Sequence, residues 1–399
     1  MVIGMAVETD TARRGPLTGV RVVELAGLGP AQLGAMLLAD MGADVVRVDR
    51  PADVPTDPEG VSGELLARGR RSIALDLKQP DGLAVARELA AGADVLLDPY
   101  RPGVAERLGL GPDDLLALNP RLVFARMTGW GQDGPLAQAA GHDINYVALA
   151  GALAPIGPAD APPPPPLNLV GDFGGGGMLL AFGVAAALVE RERSGEGQVI
   201  DVAMIDGVAA LMASIFQVDH QGLWSRERGA NWLQGAAPWY RAYATADDRY
   251  VTVGPLEAKF YGQLLDRLGL DAADWPQWDT DRWPALAELL AARFAERTLA
   301  EWTAELEGTD VCFAPALEYD EVTEHPHLAA RAVYVERDGA VQPAPAPRFA
   351  RTPGAIASPP PWPGQHTAEL LAELGVGGDR RAALYASGAA RDTTTEEPR

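Results

Sequence analysis

Five short aliphatic runs, VRVVEL, ADVVRVDR, SIALDL, ADVLLDPY and LVFARMTGW, recur between residues 20 and 130 with helix-periodic stretches in several of the intervals. In the first interval Leu33, Leu37, Leu38 and Met41 fall on one face at helical spacing. Strand–helix–strand repetition needs crossover connections, so this part of the chain is predicted to be α/β with a mostly parallel sheet. A chain of 399 residues that is 47% apolar buries a sizeable core and has length for two or three structural units. A dinucleotide-binding loop would sit after Leu25, but Gln32 stands where the third glycine of that fingerprint belongs.

Charge and cysteine content narrow the setting. With 33 basic and 55 acidic residues the formal charge is −22, which repels nucleic acid and anionic lipid. Cys312 stands alone and has no disulfide partner, so a reducing, cytoplasmic location is expected. The apolar run over residues 178–189 is shorter than the roughly 20 residues a bilayer span needs, and no membrane partner is expected. Residues 1–15 read as a flexible leader and 387–399 as a disordered tail. Between them, residues 16–216 are read as the first part of a large domain and 217–239 as a linker. Residues 240–325 are read as a small domain, and 326–386 as the return to the large one. In the small domain, Asp247 and Asp248 mark a hairpin, and Thr298 with Glu301 a capping box.

Two polar clusters carry candidate chemistry. His142 lies in GHDINY, between a strand-like run and an apolar stretch, where Asp143 and Asn145 read equally well as helix caps. Asp172 lies in VGDFGGGG, read as a loop entering a helix, where the aspartate caps the helix or acts as a base. There Gly174 and Gly175 expose backbone N–H groups to an oxyanion. A histidine and a carboxylate on opposite sides of a carbon acid can remove a proton from one face and return one to the other. Glu257 opens a helix of the small domain, where the helix dipole alone would favour it. Arg68, Arg70 and Arg71 form a basic cluster suited to a polyphosphate or to a solvated turn.

The segments LTGVRVVELAGLGPAQLGAMLLADMGADVVRVDRP, RGRRSIALDLKQPDG, GHDINY and PPLNLVGDFGGGG together resemble the class III coenzyme A transferase (CaiB/BaiF) superfamily, specifically its α-methylacyl-CoA racemase branch, across residues 15–375. The resemblance implies a Rossmann-like large domain with a parallel sheet built from both chain ends, a smaller inserted α+β domain, and an interlocked homodimer. It implies that His142 and Asp172 are opposing acid/base residues that invert the α-carbon of 2-methylacyl-CoA thioesters through an enolate, with Glu257 orienting His142 across subunits. It places Arg50, Ala74, Leu75, Asp76, Leu77, Asp98, Arg107, Gly141, Asp143, Asn145 and Tyr146 at the coenzyme A site, with Arg68, Arg70 and Arg71 as nearby phosphate contacts. No metal or other cofactor is implied, since coenzyme A is part of the acyl-CoA substrate. The alternative within the superfamily is a coenzyme A transferase in which Asp172 is a nucleophile that moves coenzyme A between carboxylic acids. The acyl chain itself is not specified by any of these motifs.

Overall fold

A computed structural model describes residues 13–58 and 63–393; the expected leader, up to residue 12, and the expected tail, from residue 394, lie outside them. The described residues form two compact units, one from those within 13–150, 166–211 and 332–393, the other from 151–165 and 212–331.

The first unit is built on strands β1 (Arg21–Leu25), β2 (Asp44–Asp49), β3 (Arg70–Leu75), β4 (Val95–Asp98), β5 (Val123–Thr128) and β6 (Val199–Ala203). They pair in parallel in the order β3-β2-β1-β4-β5-β6. Strands covered on both faces read as continuous apolar runs, and β4 and β5 are buried at every position. The helices are α1 (Pro30–Asp40), α2 (Pro80–Ala91), α3 (Val104–Arg107), α4 (Pro112–Leu118), α5 (Asp143–Leu149), α6 (Leu179–Ser194) and α7 (Met204–Leu211). Proline at the start of α1, α2 and α4 presets the first turn where no N–H partner exists. One face of the sheet packs Val85, Leu89 and Leu115 from α2 and α4, and the other packs Ala35, Leu38, Leu180 and Val184 from α1 and α6.

Ahead of α6, Leu169–Met178 forms a π-helical segment that continues into it. The glycines of GDFGGGG are therefore helical, which corrects the loop expected there. Their role is close packing: a Cβ on Gly175 would stand 2.8 Å from the Val208 nitrogen, and one on Gly207 only 1.9 Å from the Gly175 oxygen. The joined helix Leu169–Ser194 has 26 residues and is long and apolar enough to cross a bilayer by length and composition. The apolar helical stretch is therefore longer than residues 178–189, because it starts earlier. Leu180, Val184 and Leu188 of this helix belong to the core against the sheet.

The second unit holds the antiparallel sheet β7 (Arg241–Ala244), β8 (Tyr250–Val253) and β9 (Phe313–Pro315), with helices α8 (Ala213–His220), α9 (Ala258–Arg267), α10 (Trp283–Phe294), α11 (Leu299–Leu306) and α12 (Pro326–Ala330). The hairpin turns at Asp248, whose φ is +56°, and Thr298 with Glu301 forms the capping box. Residues 217–239, expected as a linker, belong to this unit instead. Trp239 is fully buried in its core, with its indole N–H donating to the Gln277 carbonyl at 2.9 Å.

The chain then returns to the first unit through the hairpin β10 (Tyr334–Arg337) and β11 (Ala340–Pro343), then α13 (Thr367–Glu373), α14 (Gly378–Ala386) and β12 (Ala390–Arg391). β12 pairs antiparallel with β3 and closes the sheet edge. The disorder expected from residue 387 is thereby corrected for residues 387–393, because the polar composition there hides Ala389 and Ala390, which are buried.

Candidate active site

A pocket of about 260 Å³ opens at the carboxyl ends of β1, β4 and β5, lined by Leu28–Ala31, Pro99–Pro102 and Met127–Trp130. The strand order reverses direction between β1 and β4, and that switch point is where an open α/β sheet leaves a crevice. His142, Gly141, Tyr146 and Asp172 also line it, so the two sequence motifs meet in one place.

His142 is the N-cap of α5, and its backbone N–H donates to Asn145 Oδ1 at 3.0 Å. The capping reading of Asn145 thus holds, while the His142 ring remains exposed at the pocket. Asp143 takes a different part: its Oδ1 accepts the Asp172 N–H at 2.6 Å. Gly171 makes this approach possible, since a Cβ there would lie 2.4 Å from the same oxygen.

Asp172 is half-buried in the first turn of the π-helical segment, a type of helical irregularity common at functional sites. Burial raises its carboxyl above the ordinary aspartate value, and the charge of Asp143 raises it further; the Asn168 hydrogen bond and His142 pull the other way. A Cβ on Gly29, at the start of α1, would sit 3.6 Å from Asp172 Oδ2.

The opposite wall is aromatic. Trp130 and Tyr146 meet edge to face at 4.7 Å, and the Tyr146 hydroxyl donates to the Gly141 carbonyl. Burial and then the negative charge of Asp172 raise the Tyr146 phenol, while Arg101 lowers it. Tyr100, Arg101 and Trp130 were not singled out from the sequence. Their position directly after β4 and β5 was the available signal.

Other expected residues fall elsewhere. Arg50 is 80% exposed beside Asp53, and Arg107 is exposed at the end of α3. Ala74 and Leu75 are fully buried in β3, and Asp76 holds the following turn by accepting the Lys78 N–H at 3.0 Å, with Leu77 packed on the core. Asp98 is buried at the end of β4, where desolvation pushes its carboxyl up to about 6. Glu257 is the N-cap of α9 in the second unit, with an exposed side chain that makes no capping bond.

In the arginine cluster, Arg68 and Arg70 are corrected by their burial. Arg68 is buried against Asp40 at 2.6 Å and donates to Gln342 and the Pro343 carbonyl, tying β11 to the end of α1. Arg70 and Glu24 are both completely buried 3.0 Å apart, and Arg71 pairs with Asp44, Glu369 and Glu373. All three guanidinium groups neutralise acids within the protein, and burial keeps Arg68 and Arg70 from a phosphate. Gly174 and Gly175 are likewise not an open anion loop, because both lie within the helical segment.

Comparison with known proteins gives concordant results. A family described as CoA-transferase family III matches residues 17–367. Alpha-methylacyl-CoA racemase from Mus musculus is 47% identical over 363 residues, covering 90% of this chain and 93% of that protein. Its Homo sapiens counterpart is 46% identical over 365 residues with the same coverage, 90% and 93%. The crystal structure of a CaiB/BaiF family protein from Brucella suis superposes with a TM-score of 0.78 at 28% identity, covering 90% of this chain and all of that one.

Proposed function

The chain belongs to CoA-transferase family III, and on that premise we propose that it is an isomerase that inverts the α-carbon of 2-methylacyl-CoA thioesters by 1,1-proton transfer. The observation that carries this reading is the presence of His142 and Asp172 in the lining of one pocket. A thioester carbonyl acidifies its α-hydrogen, and loss of that proton gives a nearly planar enolate. His142 takes the proton from one enantiomer and Asp172 from the other, and whichever residue did not take it returns one to the opposite face. Burial holds Asp172 above the ordinary carboxylate range, which brings it closer to the α-carbon's demands on a base.

With Gly174 and Gly175 committed to helix packing, stabilisation of the enolate oxygen falls to the N-terminus of α1, which opens on the pocket. Arg50 and Arg107, both exposed, supply cations for the coenzyme A phosphates, and Gly141, Asn145 and Tyr146 border the thioester end. Nothing beyond these groups and the coenzyme A of the substrate is required, and the setting is cytoplasmic.

Glu257 orients His142 from a second copy of the chain in an interlocked homodimer. Supporting the dimer, Leu149, Leu169, Met178, Phe182, Val189 and Leu211 on the neighbouring helices of the first unit are each more than half exposed. Exposed apolar side chains gathered on neighbouring helices are the kind of surface that marks an interaction site.

The test is to incubate the purified protein with one enantiomer of a 2-methylacyl-CoA, with and without a free carboxylic acid acceptor. Loss of optical purity without acceptor supports the isomerase. Transfer of coenzyme A to the acceptor with optical purity retained makes Asp172 a nucleophile and the protein a transferase.

A further inference from the structure

Asp143 is a carboxylate that neither capping nor proton transfer accounts for. The residue is 7% exposed, and Asn145 rather than Asp143 satisfies the start of α5. One oxygen accepts the Asp172 N–H at 2.6 Å; the other, Oδ2, is buried and has no hydrogen-bond partner among the described residues. A buried carboxylate oxygen without a donor is costly, so its retention beside a reactive group needs a reason.

We propose that Asp143 is a positioning residue for Asp172: one oxygen fixes the Asp172 backbone, and the negative charge facing the Asp172 carboxyl lets that group serve as proton acceptor for one enantiomer and proton donor for the other at a single pH. This rests on the isomerase reading above. An aspartate with its ordinary acidity would be a weak base and would rarely be protonated near neutrality. Two nearby carboxylates resist double ionisation, so the neighbour's charge keeps the proton on Asp172 longer as pH rises.

The groups around Asp172 leave Asp143 as its main like-charge neighbour. From α5 come His142, which favours the ionised form, and Tyr146; from the segment's own start comes Asn168, which donates to the carboxyl. The first turns of α1 and α6 carry no acid. Asp206 of α7 acts on Asp201 of β6, and Arg101 acts on Tyr146.

The experiment uses Asp143→Asn, which keeps an acceptor for the Asp172 N–H and removes the charge, with Asp143→Ser as a second variant in case the first folds poorly. Carboxyl-13C aspartate NMR follows the Asp172 titration, its signal identified by its disappearance in Asp172→Asn. In parallel, α-deuterium uptake from each pure enantiomer of a 2-methylacyl-CoA gives kcat/KM against pH. The wild-type Asp172 signal is expected to titrate above the ordinary aspartate range and to move to lower pH in either variant. The forms that act on the two enantiomers hold the same single proton, so both profiles share their limbs, and the limb set by Asp172 should move to lower pH for both enantiomers in either variant. A role confined to folding would scale both profiles equally at every pH, and unmoved limbs with an unmoved titration overturn the proposal. If the wild type exchanges no deuterium, the isomerase reading fails, while the carboxyl titration still decides whether Asp143 acts on Asp172.

Discussion

The backbone N–H of Asp172 donates to Asp143 Oδ1 at 2.6 Å, joining two segments 29 residues apart in sequence. Through that bond the start of the π-helical segment and the start of α5 become one structure, and His142 and Asp172 are set into the same pocket. The rest of the first unit supports this junction: the sheet supplies the crevice, and the glycine-rich helix supplies the close packing that holds it.

The helix packing gives the sharpest stability prediction. A Cβ at residue 207 would fall 1.9 Å from the Gly175 oxygen, which is backbone and has no rotamer to escape into. Gly207→Ala should destabilise the protein by about 1–3 kcal/mol or more in chemical denaturation. Gly262→Ala, in α9 with open space around it, should instead stabilise by about 0.5–1 kcal/mol.

The buried pair Arg70–Glu24 has the opposite logic to a phosphate site. Arg70→Met leaves an unpaired carboxylate where burial already raises Glu24, and should cost about 3–5 kcal/mol. The double variant Arg70→Met, Glu24→Leu should recover most of that loss. KM for the acyl-CoA should be unchanged in the double variant; a large rise in KM would restore Arg70 to the binding site.

Much of this was legible in the sequence, and the misreadings share a cause. The β-runs and proline-started helices are local patterns, so the parallel sheet followed from periodicity alone. GHDINY and VGDFGGGG each placed a polar residue where a core pattern stops, which marked His142 and Asp172. The arginine cluster misled because its partners Glu24, Asp40, Asp44 and Glu369 are distant in sequence, and a charge run does not reveal who neutralises it. The glycine run misled because glycine serves equally in a loop and where two helices nearly touch. What singled out the second was Gly207, whose contact with Gly175 exists only in the folded chain.

Asp98 predicts a pH dependence of folding. Burial lifts its carboxyl from 3.8 to about 6, so the folded state holds this proton more tightly than the unfolded one. Its contribution therefore falls as pH rises from about 4 to about 6 and is level above that. Asp98→Asn removes this term, so the variant should gain on the wild type by a few kcal/mol across the same window in denaturation curves taken at several pH values.

The C-terminal strand predicts a truncation result. Ala389 accepts the Asp76 N–H at 2.9 Å, Arg391 accepts the Thr367 hydroxyl at 2.8 Å, and Asp392 accepts the Tyr385 hydroxyl at 2.9 Å. A chain ending at Ser387 should melt several degrees below one ending at Thr393 in calorimetry. Equal melting temperatures would mean that β12 contributes nothing to the sheet.

The central claim is that His142 and Asp172 work as opposing bases on one α-carbon, and α-deuterium uptake in deuterated water tests it most directly. A single enantiomer of a 2-methylacyl-CoA should gain one α-deuterium and lose optical purity in the wild type, and net racemisation should be abolished in Asp172→Asn and in His142→Ala. Racemisation that persists in either variant, or an α-hydrogen that never exchanges in the wild type, would contradict the account.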